Sequence, residues 1–200
     1  KSEWKVRDVK ETEVKRSPRP PFTTSTLQQS ASSRFGFAPS RTMMIAQRLY
    51  EAGLITYMRT DSTNLSSGAI GQIAGVVEKM FGKNYSSPKN YATKINNAQE
   101  AHEAIRPTNI GVQKAGHTEE QKRLYSLIWQ RAVSSQMADA KMLRTKITAE
   151  VGRGEIPDFS ITGSRMLFDG WLRADPSARQ DDVELPKTEA GEILKLLEMK

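Results

Sequence analysis

Cysteine is absent from all 200 residues, which excludes disulfides and thiolate metal sites within them and is compatible with a reducing compartment. Histidine occurs only at 102 and 117, and no motif surrounds His117, which reads as a surface residue. No apolar run approaches the ~18 residues that a membrane span needs, and Lys1 opens no secretory signal, so no membrane partner is expected. Nor does any acidic D-x-D-type cluster occur; Asp181-Asp182 is the nearest pair and reads as a polar turn. Acidic side chains are outnumbered, with 30 Lys and Arg against 23 Asp and Glu, a net charge of +7 and a sequence pI near 9.6. That balance points to a polyanionic partner without saying which one. What is present, 37% hydrophobic and 26% charged residues, is the make-up of a globular chain long enough to bury the core of one or two domains.

The most informative stretch is Gly53 to Ser62, GLITYMRTDS. Gly53 punctuates its start, Leu54 to Met58 are apolar or β-forming, and Asp61-Ser62-Thr63-Asn64 favours a turn, so a short strand is expected. Side chains two apart on a strand share a face. The Tyr57 phenol and the Arg59 guanidinium would therefore meet one site, with room for a phosphate between them. A phenol of pKa ~10 is a poor nucleophile at neutral pH and needs a nearby cation to favour phenolate and to stabilise charge on phosphoryl oxygens. The permanently charged, forked arginine suits both tasks. Spacing alone equally fits a tyrosine packed at a strand end beside a surface charge. Asp61 reads either as an acceptor for Arg59 or, by preference, as a cap of the following turn.

Around this stretch the chain divides. Lys1 to Val14, with Trp4, Val6, Val9 and Val14 among alternating charges, reads as one or two exposed-edge strands. Three prolines between Ser17 and Pro21 then mark a boundary. A helix is expected from about Ser25 to Phe35, closed by Gly36, and a second from Pro39-Ser40 toward Gly53 with Met43, Met44, Ala46, Gln47, Leu49 and Tyr50 as its apolar face. A third, capped by Ser66 or Ser67, runs to Phe81 with Ile70, Ile73, Ala74, Val77, Met80 and Phe81 inward. Gly71 and Gly75 weaken it unless another backbone approaches closely. Residues 84–97 read as a surface loop, and a fourth helix follows Thr118, burying Tyr125 and Trp129. From Ala138 to Lys141 the period changes from helical to alternating, continuing through Phe159 and Ile161 and possibly from Met166 to Trp171; Asp175 to Asp182 read as a polar loop and Ile193 to Leu197 as a last strand.

Helix, short turn, helix, strand is the order of a winged-helix unit, which places a helix on nucleic acid. From Lys15 to Arg59 the cations Lys15, Arg16, Arg19, Arg34, Arg41, Arg48 and Arg59 are opposed only by Glu51, as a DNA-binding or simply solvated basic face. Arg34, Arg41 and Gln28 are candidate DNA contacts. In AQEAHEAIRPT, His102 and Arg106 stand four apart, on one face of a helical turn that could grip phosphate.

Three blocks, PPFTTSTLQQSAS, GLITYMRTDS and AQEAHEAIRPT, in this order and at these separations, resemble the type IA DNA topoisomerases. Met58 after the tyrosine is more like the bacterial topoisomerase I branch than topoisomerase III, where proline is expected. The resemblance runs from about Val14 to Trp171. It implies that Tyr57 attacks single-stranded DNA to form a 5′-phosphotyrosine, that Arg59 is catalytic with it, that Thr60 and Asp61 support them, and that His102 binds or positions DNA. It further implies Mg²⁺ held by a Toprim domain outside this chain, no use of ATP, a monomer acting on DNA in the cytoplasm at the nucleoid, and an excised piece of a longer enzyme. No metal ligand is expected here. The fold expected is α+β: a mostly helical, winged-helix-like domain, 18–139, carrying the tyrosine and inserted into a β-rich arch, 1–17 and 140–200. A winged-helix DNA-binding or gate module without catalysis of its own is the alternative.

Overall fold

The computed structural model describes residues 4–91, 103–152, 157–179 and 183–195. The architecture is α+β, in two compact units: 1–16, 140–169 and 179–200 form one, and 17–139 with 170–178 the other.

The first unit is built on an antiparallel sheet of order β3-β2-β1-β4, formed by β1 (Trp4–Arg16), β2 (Ala140–Val151), β3 (Phe159–Phe168) and β4 (Ile193–Leu194). Alternation along β2 buries Ile147, Ala149 and Val151 while Arg144 and Lys146 stay exposed, the mark of a sheet with one apolar face. The N-terminal residues form one strand rather than two. Its register shifts between Val6 and Asp8, and β4 pairs only with Trp4 and Lys5, leaving the rest of that edge without a β4 partner.

In the helical unit, α1 (Thr24–Phe35), α2 (Pro39–Glu51) and α3 (Ser67–Phe81) pack on α4 (Glu119–Ser135). Each boundary has a local cause. Thr23 caps α1 in a reciprocal box with Thr26, and Gly36, at φ 70°, closes it in the left-handed region. Pro39 opens α2. Ser66 caps α3 through the Ala69 amide, 3.3 Å away, and Thr118 caps α4 in a box with Gln121. Leu124, Tyr125, Leu127, Ile128, Trp129, Ala132 and Val133 of α4 are buried. The Tyr125 hydroxyl donates to Val112 O at 2.9 Å and the Trp129 indole to Ile110 O at 2.7 Å, so both rings are core.

Several expectations need correction. The buried side of α2 is Thr42, Ile45, Ala46 and Leu49; Met44 and Tyr50 are exposed, because the true helical stripe centres on 46 and 49. On α3, Ala69, Ile73 and Val77 are buried and Met80 is not. Residues 54–58 form no ladder strand but a bent segment with a single β-bridge, Ile55 to Pro107. β3 ends at Phe168, and the following residues 170–178 belong to the helical unit rather than to the β-rich part. There Trp171 lies in a 3₁₀ turn, 3% exposed, its amide bonded to Ala138 O at 2.9 Å. Asp175 is likewise buried rather than part of a polar loop.

Arg131 of α4 stacks over the buried Phe22 ring, 4.1 Å from its centroid. Burial, with Arg19 nearby, pulls this guanidinium down to about 10 against the opposing pull of Asp175, so it stays charged at neutral pH. Gly71 and Gly75 are exposed, with nothing among the described residues within 4 Å of a Cβ added at either, so no close approach there explains them. Gly71→Ala and Gly75→Ala are each expected to raise stability by about 0.5–1 kcal/mol, read as a higher urea midpoint at unchanged slope.

Candidate active site

After α2 the chain reverses at Gly53, φ 69°, and continues without regular secondary structure to Ser62, with bends at Leu54, Thr56 and Met58. Hydrogen bonds hold this run on both sides of Tyr57. Upstream, the Thr56 amide donates to Arg106 O at 2.9 Å, its hydroxyl donates to Ala104 O at 2.8 Å, and the Arg106 amide returns a bond to that hydroxyl at 2.9 Å. Downstream, the Thr24 hydroxyl donates to Met58 O at 2.8 Å, lies 3.1 Å from Thr60 O and accepts from the Thr60 amide at 2.9 Å. The Thr24 amide donates to Thr60 O at 2.9 Å.

Held this way, the backbone alternates. Met58, Thr60 and Ser62 are buried at 4, 8 and 8% exposure, while Tyr57, Arg59 and Asp61 face solvent on the other side. Tyr57 and Arg59 are thus both exposed with the buried Met58 between them, although the strand that suggested a common face is absent. The Tyr57 ring sits 5.2 Å from that of Tyr50, edge to face at 66°. Asp61 forms neither the bond to Arg59 nor the turn cap. The turn is made by the Thr60 hydroxyl, accepting from the Ser62 amide at 3.1 Å, and the Ser62 hydroxyl, accepting from the Asn64 amide at 3.1 Å.

The candidate arginines differ in what they hold. Arg34 makes a two-pronged ion pair with Asp175, at 2.7 and 3.0 Å. Arg41 is paired with Glu120 of α4. Arg106 donates through Nε and Nη2 to Glu103, at 3.1 and 2.6 Å, and through Nη1 to Pro107 O. Arg59 makes no hydrogen bond or ion pair among the described residues, so its five donors remain available to an anion. Gln28 is half-buried on α1. His102 lies outside the described residues. Glu103 also accepts from the Ser66 amide at 2.6 Å, tying the 103–107 segment to the start of α3. Among the described residues no group of three or more His, Asp or Glu side chains is arranged to hold a metal ion.

Sequence reasoning missed three members of this arrangement. Nothing local to Thr24 announces its bond to a residue 34 positions away. Glu103 engages Arg106 three residues on. Tyr50 was placed on the buried face; a stripe centred on Ala46 and Leu49 would have set it at the margin.

The sequence model of the DNA topoisomerase family matches residues 1–200. This chain belongs to that family. It is 44% identical over 206 aligned residues to DNA topoisomerase 1 of Salmonella typhimurium, and 47% identical over 189 to that of Pseudomonas aeruginosa. These alignments take in 100% and 91% of the chain but 23% and 21% of the two relatives, so it spans about a fifth of their length. The structure of full-length topoisomerase I from Thermotoga maritima matches with a TM-score of 0.84 and 36% identity, over 98% of this chain and 33% of that one. The α+β architecture is thus that of a topoisomerase I segment, and no helix among the described residues is long and apolar enough to cross a membrane.

Burial works against the Glu103 carboxylate, but its bonds from Ser66 and Arg106 outweigh that and hold it below the usual range. A depressed folded-state pKa adds stability above the unfolded value that is lost as pH falls through the folded one. Glu103→Gln is expected to cost about 1.5 kcal/mol or more at pH 7. The difference from wild type should shrink below the carboxylate range, as urea denaturation at neutral and acid pH would show.

Proposed function

We propose that this chain carries the nucleophile and the phosphate-binding arginine of a type IA DNA topoisomerase. The observation that carries the reading is the joint exposure of Tyr57 and Arg59, two residues apart on a backbone held at both sides, with Arg59 unpaired among the described residues while Arg34, Arg41 and Arg106 each hold an acid. The Tyr57 oxygen attacks a phosphodiester of single-stranded DNA. The O–P bond to tyrosine forms as the P–O3′ bond breaks, the phenolic proton is lost and the leaving 3′ oxygen gains one, giving a 5′-phosphotyrosine and a free 3′-hydroxyl. Arg59 draws its charge toward the phosphoryl oxygens as they become more negative. Religation reverses the exchange, and no ATP is required because the tyrosyl link conserves the phosphodiester energy.

In this reading the other strand passes through the protein-bridged break, relaxing negative supercoils. The helical residues, 17–139 with 170–178, act as a winged-helix-like gate, and the β-rich residues 1–16, 140–169 and 179–200 as the arch. Thr60 supports the site by holding the turn after Arg59, and His102 with Gln28 lies along the bound strand. Mg²⁺ does not fit the side chains described, and no step is routed through it; its ligands are assigned to a Toprim portion of the enzyme outside these residues. The enzyme is read as a monomer working on DNA in the cytoplasm.

The test combines this chain with a separately expressed Toprim-containing portion, Mg²⁺ and single-stranded DNA labelled at its 3′ end, and follows label bound covalently to protein. Wild type is expected to form the adduct, Tyr57→Phe none, and Arg59→Ala at a rate lower by about 10²-fold or more. An adduct that persists in Tyr57→Phe would remove the nucleophile assignment. DNA binding without any adduct would favour a gate or binding module.

A further inference from the structure

We propose that Tyr50 is a positioning residue for the Tyr57 phenol. The inference rests on Tyr57 being the nucleophile and goes beyond it, to what holds that side chain in place. The bonds at Thr56, Met58 and Thr60 fix the main chain on both sides of Tyr57 but leave its two side-chain torsions free. A tyrosine ring that is 43% exposed has several staggered wells open to it. Attack needs the phenolic oxygen in line with phosphorus and about 3–3.5 Å away, which one well supplies.

The aromatic ring set against Tyr57 among the described residues is that of Tyr50, edge to face with centroids 5.2 Å apart. That separation and tilt are those of a favourable aromatic pair. The main chain that carries Tyr50 is held. Tyr50 stands on the last turn of α2, next to the fully buried Leu49, and its carbonyl accepts from the Gly53 amide at 2.8 Å, in the turn that launches the Tyr57 segment. Yet Tyr50 is itself 42% exposed, so it contributes little to the core. A large aromatic at the solvent edge of a helix, spending its inner side on the candidate nucleophile, is accounted for by orientation of that nucleophile. The hydroxyl of Tyr50 is not needed for this; the ring is.

Two measurements test it. In the 200-residue chain with ring-labelled tyrosine, the Tyr57 ring protons should show a ring-current shift that disappears in Tyr50→Leu and survives in Tyr50→Phe. In the covalent-adduct assay at saturating DNA, Tyr50→Leu should slow adduct formation by about tenfold with unchanged affinity for single-stranded DNA, and Tyr50→Phe should behave as wild type. An unchanged rate in Tyr50→Leu would overturn the proposal, as would equal damage in Tyr50→Phe. A loss confined to DNA affinity would also overturn it, showing that Tyr50 stacks on a base instead. Tyr57→Phe run alongside separates these results from a failure of the nucleophile assignment, which an adduct persisting in that variant would reveal.

Discussion

The hydroxyl and amide of Thr24 join the first turn of α1 to the main chain at Met58 and Thr60. Everything notable about the exposed face at 57, 59 and 61 depends on that junction. A segment with only a single β-bridge has no sheet to enforce a period of two. Here the alternation is enforced by an external clamp on the carbonyls of 58 and 60, with the Met58 side chain turned into the protein. The clamp is itself stabilised by the capping box at Thr23 and Thr26, which fixes where α1 begins and hence where the Thr24 hydroxyl points. On the other side of Tyr57, Thr56 plays the matching part against the 104–106 segment.

Electrostatics then sort the basic residues. A chain with a net charge of +7 invites the view that its arginines all face a polyanion. Three of the four candidates instead complete tertiary links: Arg34 to the 170–178 segment, Arg41 between α2 and α4, Arg106 to the residue that also holds the start of α3. Asp175 is 3% exposed, and a side chain so buried needs the two-pronged hydrogen bonding that Arg34 gives it. Arg59 lies beyond the reach of these acids. What distinguishes it is the absence of internal work among the described residues, and that follows from the fold, not from its being an arginine.

Much of the architecture could be read from the chain because its causes are local. Thr23, Gly36, Pro39, Ser66 and Thr118 act on neighbours within a turn, and the change from helical to alternating pattern near Ala140 is a property of consecutive residues. Errors arose where one position belongs to two alternatives. Met44 and Tyr50 are apolar enough for a buried face, and only the packing of α2 through Ile45, Ala46 and Leu49 excludes them. Asp175 to Ser177 look like a solvated turn, because nothing nearby in sequence shows that Arg34, 141 positions earlier, will meet the aspartate.

Sequence by itself determined the helix boundaries, the alternating strands and the three blocks that mark the family, since caps, periodicity and motifs are written in adjacent residues. It also determined that Tyr57 and Arg59 stand two apart. Tertiary structure decided that both are exposed while Met58 between them is buried, that Asp61 is not the turn cap, and which arginines are spoken for. Those outcomes depend on hydrogen bonds and ion pairs between residues tens of positions apart, and such bonds exist only once packing has brought their partners together.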